Sequence, residues 1–267
     1  MKSVCSAEIN LLWTGGWDST FRLLYLVFVE KRCVQPFYIV DSERASTPNE
    51  LETMHVIRTE VAKKNCQMAE LIKPTIIVSI SDIKADPDIS AKFNRLNKKL
   101  FKPIGQQYEW LIRFAKQWRI PNLELCIERS ENAPNVLVNL LSKYVTADLK
   151  MRDIDETDDV SIFSFFSFPL LNLSKNDMKR IAAKQGFLDV LEKTWFCRTP
   201  WHNIPCGVCV SCELAIKENF AYRLPKISRL RRIILLSIKQ LSERLNYIRL
   251  IQIKRPVKYQ KHKTSRS

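Results

Sequence analysis

The chain has 267 residues, 46% of them apolar and 27% charged, with a formal net charge of +15. This suits one or two domains with a substantial core and excludes a largely disordered or fibrous protein. No apolar run reaches the roughly 20 residues that cross a bilayer, which predicts no membrane span.

The amino terminus shows no basic-apolar-small signal pattern. The expectation is a cytoplasmic protein whose eight cysteines stay reduced and serve metal binding or catalysis rather than disulfides. The charge is unevenly placed. Residues 225–267 hold thirteen Lys/Arg against one acid, Glu243, so that segment carries +12 of the +15 and leaves +3 for residues 1–224.

In chain order, "AEINLLWT" (7–14) reads as a first strand. "DSTFRLLYLVFVEKR" (18–32) reads as a helix with Phe21, Leu24, Tyr25 and Phe28 on one face. "VQPFYIVD" (34–41) is a second strand, with Pro36 near its start. "TPNELETMHVIRTEVAKKN" (47–65) is a second helix, in which Thr47 is the expected cap, with Pro48 in the first turn and Glu50 three residues on. "PTIIVSIS" (74–81) is a third strand, "GQQYEWLIRFAKQW" (105–118) a helix and "NLELCIE" (122–128) a strand. "NVLVNLLSKYV" (135–145) has helical period, and "VSIFSFFSFPL" (160–170) reads as a strand. The acidic run "RDIDETDD" (152–159) reads as a solvated loop. Strands alternating with helices predict an α/β domain over residues 1–190, its mostly parallel sheet covered on both faces. A segment at 191–222 and a basic helical tail at 223–267, its end without fixed structure, follow.

Two motifs carry chemistry. "LLWTGGWDST" (11–20) places Gly15 and Gly16 where the first strand hands over to the first helix. Bare backbone there lets N–H groups approach an anion, the helix offers its positive end, and Ser19 and Thr20 add hydroxyl donors. This is a phosphate cradle without the Walker lysine and without G-x-G-x-x-G. In "TWFCRTPWHNIPCGVCVSCE", Cys197, Cys206, Cys209 and Cys212 form C-x8-C-x2-C-x2-C, four thiolates able to close a structural Zn²⁺ tetrahedron. Gly207 allows the tight turn between them. Cys5, Cys33, Cys66 and Cys126 are scattered and read as core filler or incidental thiols. His202 reads as a loop residue or substrate contact.

"TGGWDS" resembles the pyrophosphate loop, S-G-G-x-D-S, of the ATP pyrophosphatase (PP-loop, adenine nucleotide alpha hydrolase-like) superfamily, with Thr14 in place of the first Ser. Pro169, Leu170, Leu173 and Lys175, then Thr194, Trp195 and Cys197, then Cys206, Gly207, Cys209 and Cys212, resemble the pattern of the 7-cyano-7-deazaguanine synthase family. The likeness spans about residues 8–220. After the second strand only Asp41 of the family's motif is kept, and Asn135 stands in for the asparagine of a further family segment. The segment at 82–111 has no counterpart, so the nearest match is a divergent member.

The resemblance implies a Rossmann-like HUP fold and an ATP-dependent ligase that adenylates a carboxylate or amide, releasing AMP and pyrophosphate. The leading acceptor is a deazaguanine-like acid, 7-carboxy-7-deazaguanine, with ammonia as nitrogen donor and ATP, Mg²⁺ and Zn²⁺ as cofactors. It assigns catalytic roles to Asp18, Ser19 and Lys175. ATP and pyrophosphate would bind at Trp13, Thr14, Gly15, Gly16, Trp17, Asp18, Ser19, Thr20 and Asp41. Family members often pair as homodimers. The alternative is modification of a tRNA or protein by the same catalytic core, and a third option is a nucleotide sensor without catalysis. Gln106, Gln107, Tyr108 and Trp110 either line a base pocket or belong to the core. The tail, with Ile227, Leu230, Ile234, Leu241, Leu245 and Ile248 near helical spacing, packs on the body or meets a partner, an acidic lipid or nucleic acid phosphates.

Overall fold

A computed structural model describes residues 8–131 and 135–253, with the side chains of the last helix described as far as Glu243. The elements run β1 (Ile9–Leu12), α1 (Trp17–Phe28), β2 (Val34–Val40), α2 (Thr47–Lys64), α3 (Cys66–Glu70), β3 (Ile76–Ser79), α4 (Pro87–Lys99) and α5 (Gln107–Gln117). They continue with β4 (Leu123–Glu124), α6 (Val136–Leu141), β5 (Phe166–Ser167), α7 (Lys175–Lys184), α8 (Leu188–Leu191), α9 (Val210–Lys217) and α10 (Lys226–Ile253).

The five strands form one parallel sheet in the order β3-β2-β1-β4-β5. Ile9 stands opposite Val34 and Leu12 opposite Phe37, while Leu11 on the other edge meets Glu124. Successive side chains leave a strand on opposite faces, and the core divides accordingly. Leu12, Phe37 and Ile39 join Phe93 of α4 and Ile112 and Phe114 of α5 on one face. Leu11, Trp13 and Tyr38 join Phe21 and Leu24 of α1, Ile57 of α2 and Phe187 on the other. The α/β class with a parallel sheet covered on both faces, read from the alternation of elements, is what the chain forms.

Several boundaries depart from the sequence pattern. Thr47 opens α2 rather than capping it; Ser46 holds the cap position without a side-chain cap bond, and its Oγ instead donates to Glu50 Oε1 at 2.7 Å. The stretch expected as a strand at 160–170 is a 3-10 turn over Asp159–Phe163 followed by the two residues of β5. The Asp158 carboxylate accepts the Val160 N–H at 2.9 Å and holds that turn. The acidic run ahead of it is not all solvated: Asp159 is buried and paired with Arg95 and Lys99, each at 2.8 Å, which ties the turn to α4.

Among the described residues Cys33 is disulfide-bonded, a departure from the reduced state expected of all the cysteines. Cys5 and the expected loose end at 254–267 lie outside the described residues. Among the described residues, no helix is long and apolar enough to cross a membrane.

Candidate active site and metal centre

The strand order reverses between β1 and β4, the place where open parallel sheets leave a crevice at their carboxyl ends. A cleft of about 340 Å³ opens there, lined by the β1–α1 loop, the ends of β2 and β4, α5, Lys175 and the segment around the four cysteines. Thr14, Gly16, Trp17, Asp18 and Ser19 of the loop face it. Gly16 caps α1 in an extended conformation with no side-chain cap bond, which leaves the first-turn amides of that helix for another acceptor.

The two glycines do different work. Gly15 has φ +69°, and a Cβ on it would come within 3.0 Å of the Glu50 carbonyl of α2, so it is the close-approach residue behind the loop. Its carbonyl accepts the Trp195 N–H at 3.0 Å. Gly16 is the one on the cleft wall. Trp13 and Thr20 are buried beneath, the indole N–H donating to Thr20 Oγ1 at 2.9 Å. Asp41 is turned into the chain reversal after β2, where its Oδ1 accepts the Glu43 N–H at 3.1 Å and its carbonyl accepts the Thr47 hydroxyl at 2.8 Å. The loop and Lys175 therefore meet, whereas Trp13, Gly15, Thr20 and Asp41 stand outside the cleft lining.

Lys175 opens α7, whose cap, Ser174, completes a capping box with Asp177. Its ammonium lies 2.7 Å from Glu128 Oε1 and 3.0 Å from Glu218 Oε2. Burial works against the charged lysine, but Asp18, Glu128 and Glu218 outweigh it and hold Lys175 above its ordinary value. Asp18 answers in the other direction. Burial first, then Glu128, lift its carboxyl well above the usual range, with Lys175 the opposing influence. Asp18 Oδ1 is buried with no hydrogen-bond partner. Asp18, Glu128 and Glu218 thus outnumber the one ammonium they surround when all are ionised.

Glu128 and Glu218 carried no sequence signal beyond being acids at a strand end and after a cysteine-rich helix. Asn135, the cap of α6, donates to the Glu128 carbonyl at 3.2 Å and so helps fix that stretch. Gln107, Tyr108 and Trp110 of α5 line the cleft, Gln106 at the cap of α5 does not, and Tyr108 and Trp110 also pack on the hydrophobic core. Cys126 faces the cleft too, but burial and then Glu124 push its thiol up, which leaves it a poor nucleophile. Arg223 also lines the cleft. Its guanidinium lies over the rings of Trp17 and Phe196, 5.1 Å from each, and donates to Thr194 Oγ1 at 2.9 Å.

The four cysteines converge. Their sulfur atoms all lie within 4.8 Å of one another, with pairs at 3.5, 3.8 and 3.9 Å. A tetrahedron with Zn–S bonds of about 2.3 Å has edges of about 3.8 Å, so the cluster is compatible with zinc. Backbone N–H groups of Val208 and Cys209 point at Cys206 Sγ, at 3.4 and 3.3 Å, and that of Cys206 points at Cys197 Sγ at 3.2 Å. Such donors favour thiolates over thiols. Gly207, at φ +81°, has the Ser228 carbonyl 2.4 Å from where a Cβ would sit; only glycine fits this turn. His202 stands beside Trp201, their rings 4.9 Å apart, outside the four-sulfur set.

Fold and site together define a parallel α/β protein with a loop-walled cleft at its strand reversal and a four-cysteine centre whose flanking residues also line that cleft. No family model and no curated protein matches the chain.

Proposed function

We propose that the protein is an ATP-dependent, AMP-forming ligase of the PP-loop class, with a Rossmann-like HUP domain, related at a distance to 7-cyano-7-deazaguanine synthases. The observation that carries this is the turn of Thr14, Gly16, Asp18 and Ser19, which together with Lys175 lines a cleft at the strand reversal. On this reading the first-turn amides of α1 and the Ser19 hydroxyl receive the β- and γ-phosphates. Lys175 offsets their charge from the other side, held in place by Glu128 and Glu218.

The acceptor carboxylate attacks the α-phosphorus, the bond from that phosphorus to the bridging oxygen breaks, and pyrophosphate leaves into the loop. Ammonia then displaces AMP from the acyl adenylate to give an amide. The amide oxygen then attacks the α-phosphorus of a second ATP, a second pyrophosphate leaves, and loss of AMP and the two amide protons leaves the nitrile. Tyr108 and Trp110 supply flat surfaces for a heteroaromatic acid such as 7-carboxy-7-deazaguanine.

A divalent cation fits the residues present. The orphaned, buried Asp18 Oδ1 and the neighbouring Glu128 carboxylate supply hard oxygen donors where negative charge is in surplus. Asp18 and Glu128 would hold Mg²⁺, which when bound supplies charge neutralisation on the phosphates. The four thiolates hold a structural Zn²⁺ and touch no reacting atom.

Chromatography of reactions with labelled ATP and candidate acids checks the assignment. AMP and pyrophosphate are the expected products; ADP and phosphate alone would end it.

A further inference from the structure

The last helix is attached by one side and bare on another. Its start is docked on the cysteine loop: Ser228 is buried against the Pro205 carbonyl, and Arg231 and Arg232 donate to the carbonyls of Cys206 and Gly207 at 2.7 and 3.0 Å. Arg231 also lies 5.3 Å from the Trp201 ring. At 3.6 residues per turn, these three share one side of the cylinder, and Ile227, Leu230, Ile233, Ile234, Ile238 and Leu241 fall on an arc of about 140° beside it. Each of the six is at least 50% exposed, a density of half-bare aliphatic side chains that a soluble surface does not normally keep.

The charge around the stripe is of one sign. Arg231 and Arg232 are taken up by the docking, but Lys226, Arg229 and Lys239 are exposed on the described turns with a single acid, Glu243, and residues 254–267 add six Lys/Arg and no acid. A nucleic acid would reward the basic residues and leave the aliphatic stripe in water. A second copy of the helix would cover the stripe and set like charges against each other. An anionic lipid surface rewards both, since aliphatic side chains enter the acyl boundary while Lys and Arg meet the headgroups.

We propose that α10 is a peripheral membrane-binding helix, docking the protein on anionic lipid through the Leu230, Ile234 and Leu241 stripe with the exposed Lys226, Arg229 and Lys239 at the headgroups. The proposal is independent of the chemistry in the cleft.

Sedimentation of the full, zinc-loaded chain with vesicles tests it. Vesicles of phosphatidylcholine with phosphatidylserine should carry the protein down, and vesicles of phosphatidylcholine alone should not. Ile234→Ser combined with Leu241→Ser leaves the net charge unchanged and replaces exposed residues. It should weaken binding at least about tenfold, while zinc content and helical signal stay as in the parent. Parent-like binding by that variant would reduce the effect to simple charge attraction and overturn the proposal. So would a dimer, seen by light scattering without lipid, that the same double substitution dissolves. Retention of a tRNA that depends on the stripe, with no vesicle binding, would assign the surface to RNA instead.

Discussion

Asp18 is held in an unfavourable state by its neighbours: a buried carboxylate beside Glu128, with one oxygen unpartnered. Its pKa in the folded protein is raised, first by burial, above the ordinary 3.8. A raised acid contributes its full stabilisation below that ordinary value and loses it as pH rises toward the folded value. Above that ordinary value the buried group therefore costs stability, at neutral pH included. Asp18→Asn removes that cost, so the variant should melt at a higher temperature than the parent at neutral pH, the difference closing below pH 3.8. Pyrophosphate release should meanwhile fall about 10²-fold or more if the carboxylate serves the phosphates. Thermal melts across a pH series give the first readout, and a neutral-pH melt no higher than the parent's would refute the account. Stability given up at one residue is a common mark of a group placed for chemistry.

Between elements, a bidentate ion pair in the interior joins α1 to β4. Arg22 reaches Glu124 through two bonds, Nε to Oε2 at 2.8 Å and Nη2 to Oε1 at 2.7 Å, and Nη1 reaches Glu30 at 2.7 Å. Burial opposes the guanidinium, but Glu124 and Glu30 prevail and hold Arg22 above its ordinary value. Truncating one partner strands a desolvated charge, so Glu124→Ala should lower stability in urea by about 3–5 kcal/mol. Adding Arg22→Met to that variant should recover part of the loss. The pair was not legible in advance, because it joins residues 102 apart in sequence and periodicity reports only local faces. Where faces alone decide, the sequence reads well: β1, α1, β2, α2 and α5 follow their apolar spacing. Helix α4 was readable and passed over, with Asp86 accepting the Ile89 N–H at 3.1 Å, Pro87 in the first turn, and Ile89, Phe93 and Leu96 buried one turn apart. The stretch at 160–170 misleads because its aliphatic and aromatic run belongs to a turn pinned by Asp158 and Asp159, a long-range constraint no window shows. The cleft follows the same rule: glycines, Asp18 and Lys175 stand out as types, while Glu128, Glu218 and Arg223 acquire meaning only when three distant segments meet.

At the scale of the whole molecule, the cysteine centre and the cleft are one construction. Trp195 and Phe196 precede the first cysteine by two residues or fewer, Glu218 follows α9, and Arg223 lies just beyond; all four line the cleft. The Trp195 N–H to Gly15 carbonyl bond and the Lys175–Glu218 ion pair, at 3.0 Å each, fasten that wall to the loop and to α7. Four thiols within 4.8 Å of one another hold no fixed arrangement without a cation to pair their charge, since the folded metal site and the metal affinity are two sides of one equilibrium. Zinc removal should therefore act at a distance. Chelation is expected to lower the melting temperature, change the fluorescence of Trp195 and Trp201, and abolish pyrophosphate release, all three returning when zinc is restored. Gly207→Ala offers an independent route to the same end. Its Cβ would sit 2.4 Å from the Ser228 carbonyl, so the turn must open, and metal affinity should drop about 10- to 100-fold. Metal retention measured against a competing chelator, followed by nucleotide turnover at saturating zinc, separates the two links. If Gly207→Ala binds zinc as the parent does, the turn is looser than its contacts imply. If the metal-free protein still releases pyrophosphate at the parent rate, the second wall of the cleft stands without the sulfurs, and the coupling between centre and cleft is void.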